Sequence, residues 1–346
     1  MTSPKNTAGA ASLFRPWQLI GLALCITTGL FAWLGQQAGK PLTLATPASI
    51  EVVRGDTLAV VLRRLSAAGY LPQPRAVHVW ARLTGRGDRI VAGEYALDPG
   101  ITPTRLLADF ASGRQRQYLV RLPEGGTFRQ AMAALWASPV LKASLRGSSD
   151  ADIMRALGAE HLPAEGWFFP DTYFVTRSDS DLDVLRRSHA AMRKQLAAQW
   201  QTRGPGAPSS AREALILASL VEKETARADE RPLVAAVLLN RLRLGMPLQI
   251  DSTVIYGLGE AFDGNLTRRD LHTPTPHNTY TSTGLPPTPI ALPGRSALHA
   301  VTHPAAVDYL YFVARGDGSH QFSRTLAEHN RAVDCYQRRR PAGCAS

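Results

Sequence analysis

Cysteine is scarce in this chain: Cys25, Cys335 and Cys344 are all there are in 346 residues. Cys25 falls in an apolar run and the other two lie in the last dozen residues, so a disulfide framework is excluded. One pair, Cys335 with Cys344, remains available to an oxidising compartment, though nothing requires it. Acidic charge is also in deficit, with 28 Asp and Glu against 39 Lys and Arg and a formal charge of +11. Such an excess favours contact with polyanions. No zinc spacing and no aromatic-basic RNP pattern accompanies it, so nucleic acid is not expected. Anionic lipid or cell-wall polymer ranks first, and a generally basic protein is the plain alternative.

Several catalytic signatures are missing as well. There is no G-x-S-x-G elbow, no P-loop and no dinucleotide fingerprint. Six of the nine histidines lie beyond position 270, and His299 and His303 have i, i+4 spacing, but they are scattered over loops without an H-E-x-x-H. Neither a metal nor a cofactor is expected.

What the chain does have begins with an uncharged run, W-Q-L-I-G-L-A-L-C-I-T-T-G-L-F-A-W-L from Trp17 to Leu34. With the uncharged residues up to Gly39 it is long enough to cross a bilayer, and Trp17 and Trp33 sit near its ends, where aromatics favour the interface. A cleaved signal peptide would have a shorter apolar region and a better cleavage site. The expectation is a stub over 1–16 held in the cytoplasm by Lys5 and Arg15, a transmembrane helix over 17–36 and a Pro/Thr/Ala linker over 37–48. The remainder would be exported.

Residues 49–118 predict a small α+β unit. Ile50–Leu65 reads as strand, turn at Gly55 and helix, with Asp56 as candidate cap and Leu58, Val61, Leu62 and Leu65 inward. Helices near Pro74–Leu83 and Thr102–Ser112 and a strand near Gly93–Tyr95 follow. Tyr118–Leu135 repeats the strand, Gly turn and Thr-led helix. Residues 136–164 read as helical and polar, with a break at Gly147–Ser149. The aromatic stretch A-E-G-W-F-F-P-D-T-Y, Ala164–Tyr173, packs a core corner or lines a groove.

Ser210–Ala226, S-A-R-E-A-L-I-L-A-S-L-V-E-K-E-T-A, has the S-x-x-E spacing of a capping box at Ser210 and Glu213. Leu215, Ala218 and Ser219 lead to Glu222 at helical spacings, so this carboxyl prolongs an apolar stripe. Desolvation there would raise its pKa toward the range of a general acid. The bland alternative is a solvated Glu, or one paired with Lys223 or Arg227. A second helix, capped by Asp229 and stopped at Gly245, should fold back on the first as an αα-hairpin and half-bury Glu222. From Met246 the chain reads as irregular, with a turn capped by Thr267, and the Thr/Pro/His/Asn loop 273–293 suits an ordered binding wall. A hairpin from Tyr309–Val313 and His320–Ser323 and a helix capped by Thr325 and Glu328 close the chain. A glycosidase with two carboxylates would need a partner across the cleft, for which Asp251 and Glu165 are the candidates.

Five stretches carry a resemblance: E-G-W-F-F-P-D-T-Y at 165–173, L-A-S-L-V-E-K-E-T at 217–225, N-R-L-R-L-G-M-P-L-Q-I-D-S-T-V-I-Y-G at 240–257, N-T-Y-T-S-T-G-L-P-P at 278–287 and F-S-R-T-L-A-E-H-N at 322–330. In this order they resemble the YceG-like family of endolytic murein transglycosylases. The resemblance implies an inner-membrane anchor, a LysM-like subdomain over 49–118 and a lysozyme-like, mainly helical catalytic domain over 119–346, an α+β fold overall. It implies cleavage of the β-1,4 bond between N-acetylmuramic acid and N-acetylglucosamine within glycan strands, leaving 1,6-anhydro ends and terminating nascent strands. By motif position Glu222 would be the catalytic acid and base, and Gln249, Asp251, Asn278, Tyr280, Ser323 and Asn330 would contact or support substrate. Glu224 and Glu165 would stand behind them. His277 sits where the family would have an aromatic. Peptidoglycan, the inner membrane, and penicillin-binding and elongation proteins are the implied partners. A non-catalytic wall-binding scaffold, or a hydrolase using water activated by Asp251, are the rivals.

Overall fold

The computed structural model describes residues 16–339 and divides into two compact units, Met1–Gln117 and Tyr118–Ser346. The expected cytoplasmic stub, apart from Pro16, and Cys344 lie outside the described residues. The fold is α+β and mostly helical, and among the described residues it has three two-stranded antiparallel sheets.

The first unit starts with α1, Pro16–Gly39, one helix with no charged residue. It is long and apolar enough to cross a membrane. Its last turns are not free: Leu34 and Ala38 are buried together with Leu42 in the unit's core, and the Thr104 hydroxyl donates to the Ala38 carbonyl at 2.8 Å. There follow β1 (Ala48–Val52), α2 (Leu58–Ala67), α3 (Pro74–Leu83), β2 (Gly93–Leu97) and α4 (Pro103–Ser112). Strand β1 pairs antiparallel with β2, Ile50 opposite Tyr95. The stripe Leu58, Val61, Leu62 and Leu65 is buried as its spacing predicts. Asp56 is not the cap of α2. Thr57 holds that position, and the Asp56 carboxylate instead accepts from the Val53 amide at 2.8 Å and from Arg64.

The second unit opens with β3 (Tyr118–Arg121) and α5 (Phe128–Ala137), whose start carries a full capping box between Thr127 and Gln130. Of the helical stretch expected over 136–164 only α6, Asp150–Ala156, is present. Strand β4 (Thr172–Val175) pairs with β3, and α7 (Asp181–Gln201) follows. The aromatic stretch before β4 packs the core: Phe168 is fully buried and stacks on Phe128, and Phe169 is buried among α8 side chains.

Helix α8, Ala211–Glu224, is the centre of this unit. Ser210 caps it by accepting from the Glu213 amide at 3.2 Å, but the box is incomplete: the Glu213 carboxylate turns to the Ser209 amide and hydroxyl. Every residue from Ala214 to Val221 is buried. Against it pack α9 (Arg231–Arg243) and α12 (Arg295–Thr302). Asp229 does not cap α9; it pairs with Arg227, and Glu230 takes the cap position. Between α9 and α12 lie α10 (Asp251–Leu258) and α11 (Arg268–His272), the latter capped by Thr267 as its sequence predicts. Helix α10 corrects the expectation of an irregular segment. Strands β5 (Tyr311–Ala314) and β6 (His320–Ser323) form the expected hairpin, and α13 (Leu326–Val333) starts with the Thr325–Glu328 capping box.

Gly166 shows why the aromatic stretch has a glycine at its third position. Its φ is +83°, and an added Cβ would meet Pro289 at 2.4 Å. Gly166→Ala is expected to lose at least about 2 kcal/mol in chemical unfolding, from left-handed strain plus displacement of the Pro289 loop.

Candidate active site

The end of α8 presents two glutamates on different sides, since two residues advance a helix by roughly 200°. Their surroundings differ. Glu222, expected to be the acid, has both carboxylate oxygens engaged: Oε1 accepts from Arg231 Nη2 at 2.8 Å and Oε2 from the Gly294 amide at 2.9 Å. Both partners of this ion pair are buried, with side chains 4% and 8% exposed. The Arg231 guanidinium also donates to the Thr225 carbonyl, so the pair clasps the connection from α8 to α9. Burial raises the Glu222 pKa, while the Gly294 amide and Arg231 work against the rise.

Glu224 faces a cleft of about 410 Å³. Its Oε1 accepts from the Ser252 hydroxyl at 3.2 Å. Burial pushes its carboxyl up to about 7, opposed by the Ser252 hydrogen bond and reinforced by the neighbouring Asp251 carboxylate. Around it stand Gln249, Asp251, Tyr280, Arg241 and His320. Asp251, the first residue of α10, is exposed and accepts from the Tyr280 hydroxyl at 2.5 Å. The phenol's pKa is raised, by burial first and then by that carboxylate. It therefore stays a hydrogen-bond donor at neutral pH.

Gln249 is the described non-glycine residue with positive φ, at 56°. Its amide donates to the Thr279 carbonyl and its side-chain oxygen accepts from Arg241, so contacts on both sides hold a conformation that costs a non-glycine residue about 1–2 kcal/mol. Strain retained in a cleft wall fits a residue fixed there for its side chain.

The other expected residues separate into two groups. Asn278 is fully buried and serves its own loop: its Nδ2 donates to the carbonyls of Leu271 and Thr273, and its Oδ1 accepts from the Tyr280 amide. It therefore positions Tyr280 and has no face toward the cleft. Ser323 is buried in β6 opposite Tyr311, and Asn330 is exposed on α13; neither lines the cleft, whose wall on that side is His329, Val333 and Gln337. Glu165 lies in a separate hollow of about 620 Å³ with Thr127, Phe128, Tyr256 and His277. Burial pushes its carboxyl up to about 7 as well, and its Oε1 accepts from the Phe128 amide. His277 donates or accepts at the Thr288 hydroxyl and meets the Tyr256 ring edge-on. His299 and His303 stack on each other and bond to Gln199 and the Thr202 carbonyl. Among the described residues no three His, Cys, Asp or Glu side chains are grouped as metal ligands.

Sequence reasoning missed Arg231, Arg241 and His320. Arg241 is buried on α9, donating to the carbonyls of Leu310, Leu248 and Pro247, with its guanidinium 5.0 Å from the Tyr311 ring. It ties the hairpin and the Gln249 turn to the helix. His320 meets the Glu230 carboxylate through Nδ1 at 2.6 Å. The usable signal was arginine within the apolar run L-V-A-A-V-L-L-N-R-L: a cation on a helix buried all round must find acceptors.

The family model of the YceG-like family matches residues 50–335. A Bacillus subtilis protein named endolytic murein transglycosylase is 28% identical over 308 residues, covering 84% of this chain and 85% of that protein. A Streptococcus pneumoniae protein of the same name is 33% identical over 174 residues, 49% of this chain but 31% of that longer protein. A crystal structure of a yceG-like protein from Listeria monocytogenes aligns with a TM-score of 0.52 at 27% identity, covering 82% of this chain and 98% of that one. With the family model spanning most of its length, the chain belongs to the YceG-like family.

Proposed function

We propose that this protein is an endolytic lytic transglycosylase that cleaves the N-acetylmuramic acid–N-acetylglucosamine bond within peptidoglycan strands and leaves 1,6-anhydro ends. The reaction class follows the names of the relatives. The observation that carries the chemistry is the position of Glu224, a buried carboxyl with a pKa near 7 in a polar cleft. Glu224 takes the role expected of Glu222, whose oxygens are committed to Arg231 and Gly294.

Protonated Glu224 donates its proton to the glycosidic oxygen as the bond to C1 breaks. The resulting carboxylate then accepts the proton of the muramyl C6 hydroxyl as that oxygen bonds to C1. The hydroxyl belongs to the same sugar, so its effective concentration is high and no second base is needed to activate water. Gln249, Tyr280 and Asp251 are placed to hydrogen-bond the sugar hydroxyls or N-acetyl groups. Asn278 positions Tyr280, and Ser323 and Asn330 support the hairpin and α13 behind the wall.

Helix α1 is read as a single-pass inner-membrane anchor with its N-terminus in the cytoplasm, placing the second unit on the murein side. The β1–α2–α3–β2 order, with β1 and β2 antiparallel, supports a LysM-like reading of the small unit over 49–118, followed by the YceG-like catalytic domain over 119–346. Strand termination beside penicillin-binding and elongation proteins fits this placement.

The test is digestion of purified sacculi with mass analysis of the products. Anhydro-muramyl ends are expected; reducing ends would favour hydrolysis by water activated at Asp251, and absence of cleavage would leave a wall-binding scaffold. The pH profile is a second check. The acid must be protonated, so turnover is expected to fall about tenfold per pH unit above an apparent pKa near 7. A rate that stayed flat to pH 9 would remove Glu224 from the acid's role.

A further inference from the structure

We propose that the first unit seats the end of α3 in an anionic bilayer surface, with Leu83 among the lipid acyl chains and arginines at the headgroups. This rests on reading α1 as the membrane anchor.

The two helices run side by side in opposite directions. An added Cβ on Gly35 would lie 3.5 Å from Trp80 Nε1, and one turn further along α3 Leu83 shares a hollow of about 450 Å³ with Thr27, Thr28, Leu30, Phe31 and Leu34. Leu83 therefore reaches between about five and twelve residues into the apolar segment, roughly 8–18 Å from its end at Gly39. If the bilayer stopped short of Leu83, it would cover only about fourteen residues of α1, Trp17–Leu30, or roughly 21 Å against a hydrocarbon core of about 30 Å. Accommodating the full apolar segment brings the acyl region up to the tip of α3.

That tip has the surface such a position requires. Leu83 is 62% exposed and Val79, one turn before it, 47%. Beyond Leu83 the chain is uncharged for Thr84 and Gly85, and then reverses at Gly85, whose φ is +66°. The Arg86 amide donates back to the Ala81 carbonyl, and its guanidinium lies over Trp80, 5.0 Å from the ring centroid. The charge is thus drawn back toward the Gly35 level and away from the tip. Arg82 and Arg86 flank the tip and Lys40 follows the end of α1; all three are exposed, as are Asp88 and Arg89 in the segment after the turn. Long basic side chains keep their heads in the headgroup layer while their stems cover apolar surface.

The test uses the full chain in lipid nanodiscs, with spin labels at single sites in a Cys25→Ser background, labelled without reductant so that Cys335 keeps its disulfide. Labels go at Leu83→Cys, at Leu24→Cys within the span and at exposed Glu160→Cys as a water-facing reference. Collision with dissolved oxygen is compared with collision with an aqueous nickel chelate. The Leu83 label is expected to favour oxygen, as the Leu24 label does, and to lie deeper in phosphatidylglycerol discs than in phosphatidylcholine discs. If it matches Glu160 while Leu24 stays lipid-exposed, the seating is overturned and the anchor stands. Aqueous behaviour at both Leu24 and Leu83 overturns the anchor reading itself. Equal depth in the two lipids overturns the part played by the arginines.

Discussion

Glu224→Gln is expected to lower the rate of anhydro-muramyl release from sacculi by about 10³-fold or more while leaving the fold intact. Glutamine has the shape of the carboxyl and can still accept from the Ser252 hydroxyl, so the cleft should keep its packing. What it cannot do is give a proton and later take one back. Each step loses a group whose pKa lies near the working pH, and a positioned acid or base contributes on the order of 10²–10⁴ to rate. Thermal stability at pH 7 should hold or rise, because the variant no longer has a carboxyl that resists ionising in place. The informative comparison is turnover per folded molecule, with circular dichroism and a melting curve alongside. Activity within tenfold of the parent would exclude Glu224 as the proton donor.

Glu222→Gln should produce the opposite pattern, a large loss of stability with turnover per folded molecule preserved. The substitution leaves the Arg231 guanidinium buried without its counter-charge, which costs about 3–5 kcal/mol. For a unit of this size the melting temperature should fall by on the order of 10 °C. Replacing both partners, Glu222→Gln with Arg231→Met, should recover much of that loss, since the penalty comes from the stranded charge more than from the missing attraction. A folded Glu222→Gln protein with no activity would return the acid's role to Glu222.

How much of this could be seen in the chain itself varies with the range of the interaction. Caps made by neighbours three residues apart were legible at Thr267, Thr325 and Ser210, because donor and acceptor lie in one short window. Asp56 and Asp229 misled for the same reason. Each had the composition of a cap, but each is taken by a guanidinium instead, Asp56 by Arg64 eight residues on and Asp229 by Arg227 two residues before it. Helix α10 was missed because it is short and follows a turn forced at Gln249.

The choice between the two glutamates was the least legible feature. Glu222 did extend the apolar stripe and was buried as that pattern implies. Its partner Arg231 and the Gly294 amide come from α9 and from the turn before α12, and no local pattern announces them. Glu224, expected to stand behind the substrate contacts, lies on the side where α10, the Tyr280 loop and the hairpin close over it. The polar loop was rightly read as ordered, but Asn278, expected to touch sugar, holds the loop from inside.

The wall formed by His329, Val333 and Gln337 bears on the order in which the protein is made. Glu224 is synthesised about a hundred residues before that wall, and chains acquire structure from the N-terminal side as they emerge. While residues 329–337 are still in transit, the nascent chain carries Glu224 in a half-open trough. The cleft that holds Glu224 is therefore the last part of the second unit to be completed, and a chain that stopped before residue 329 would leave that side of it open.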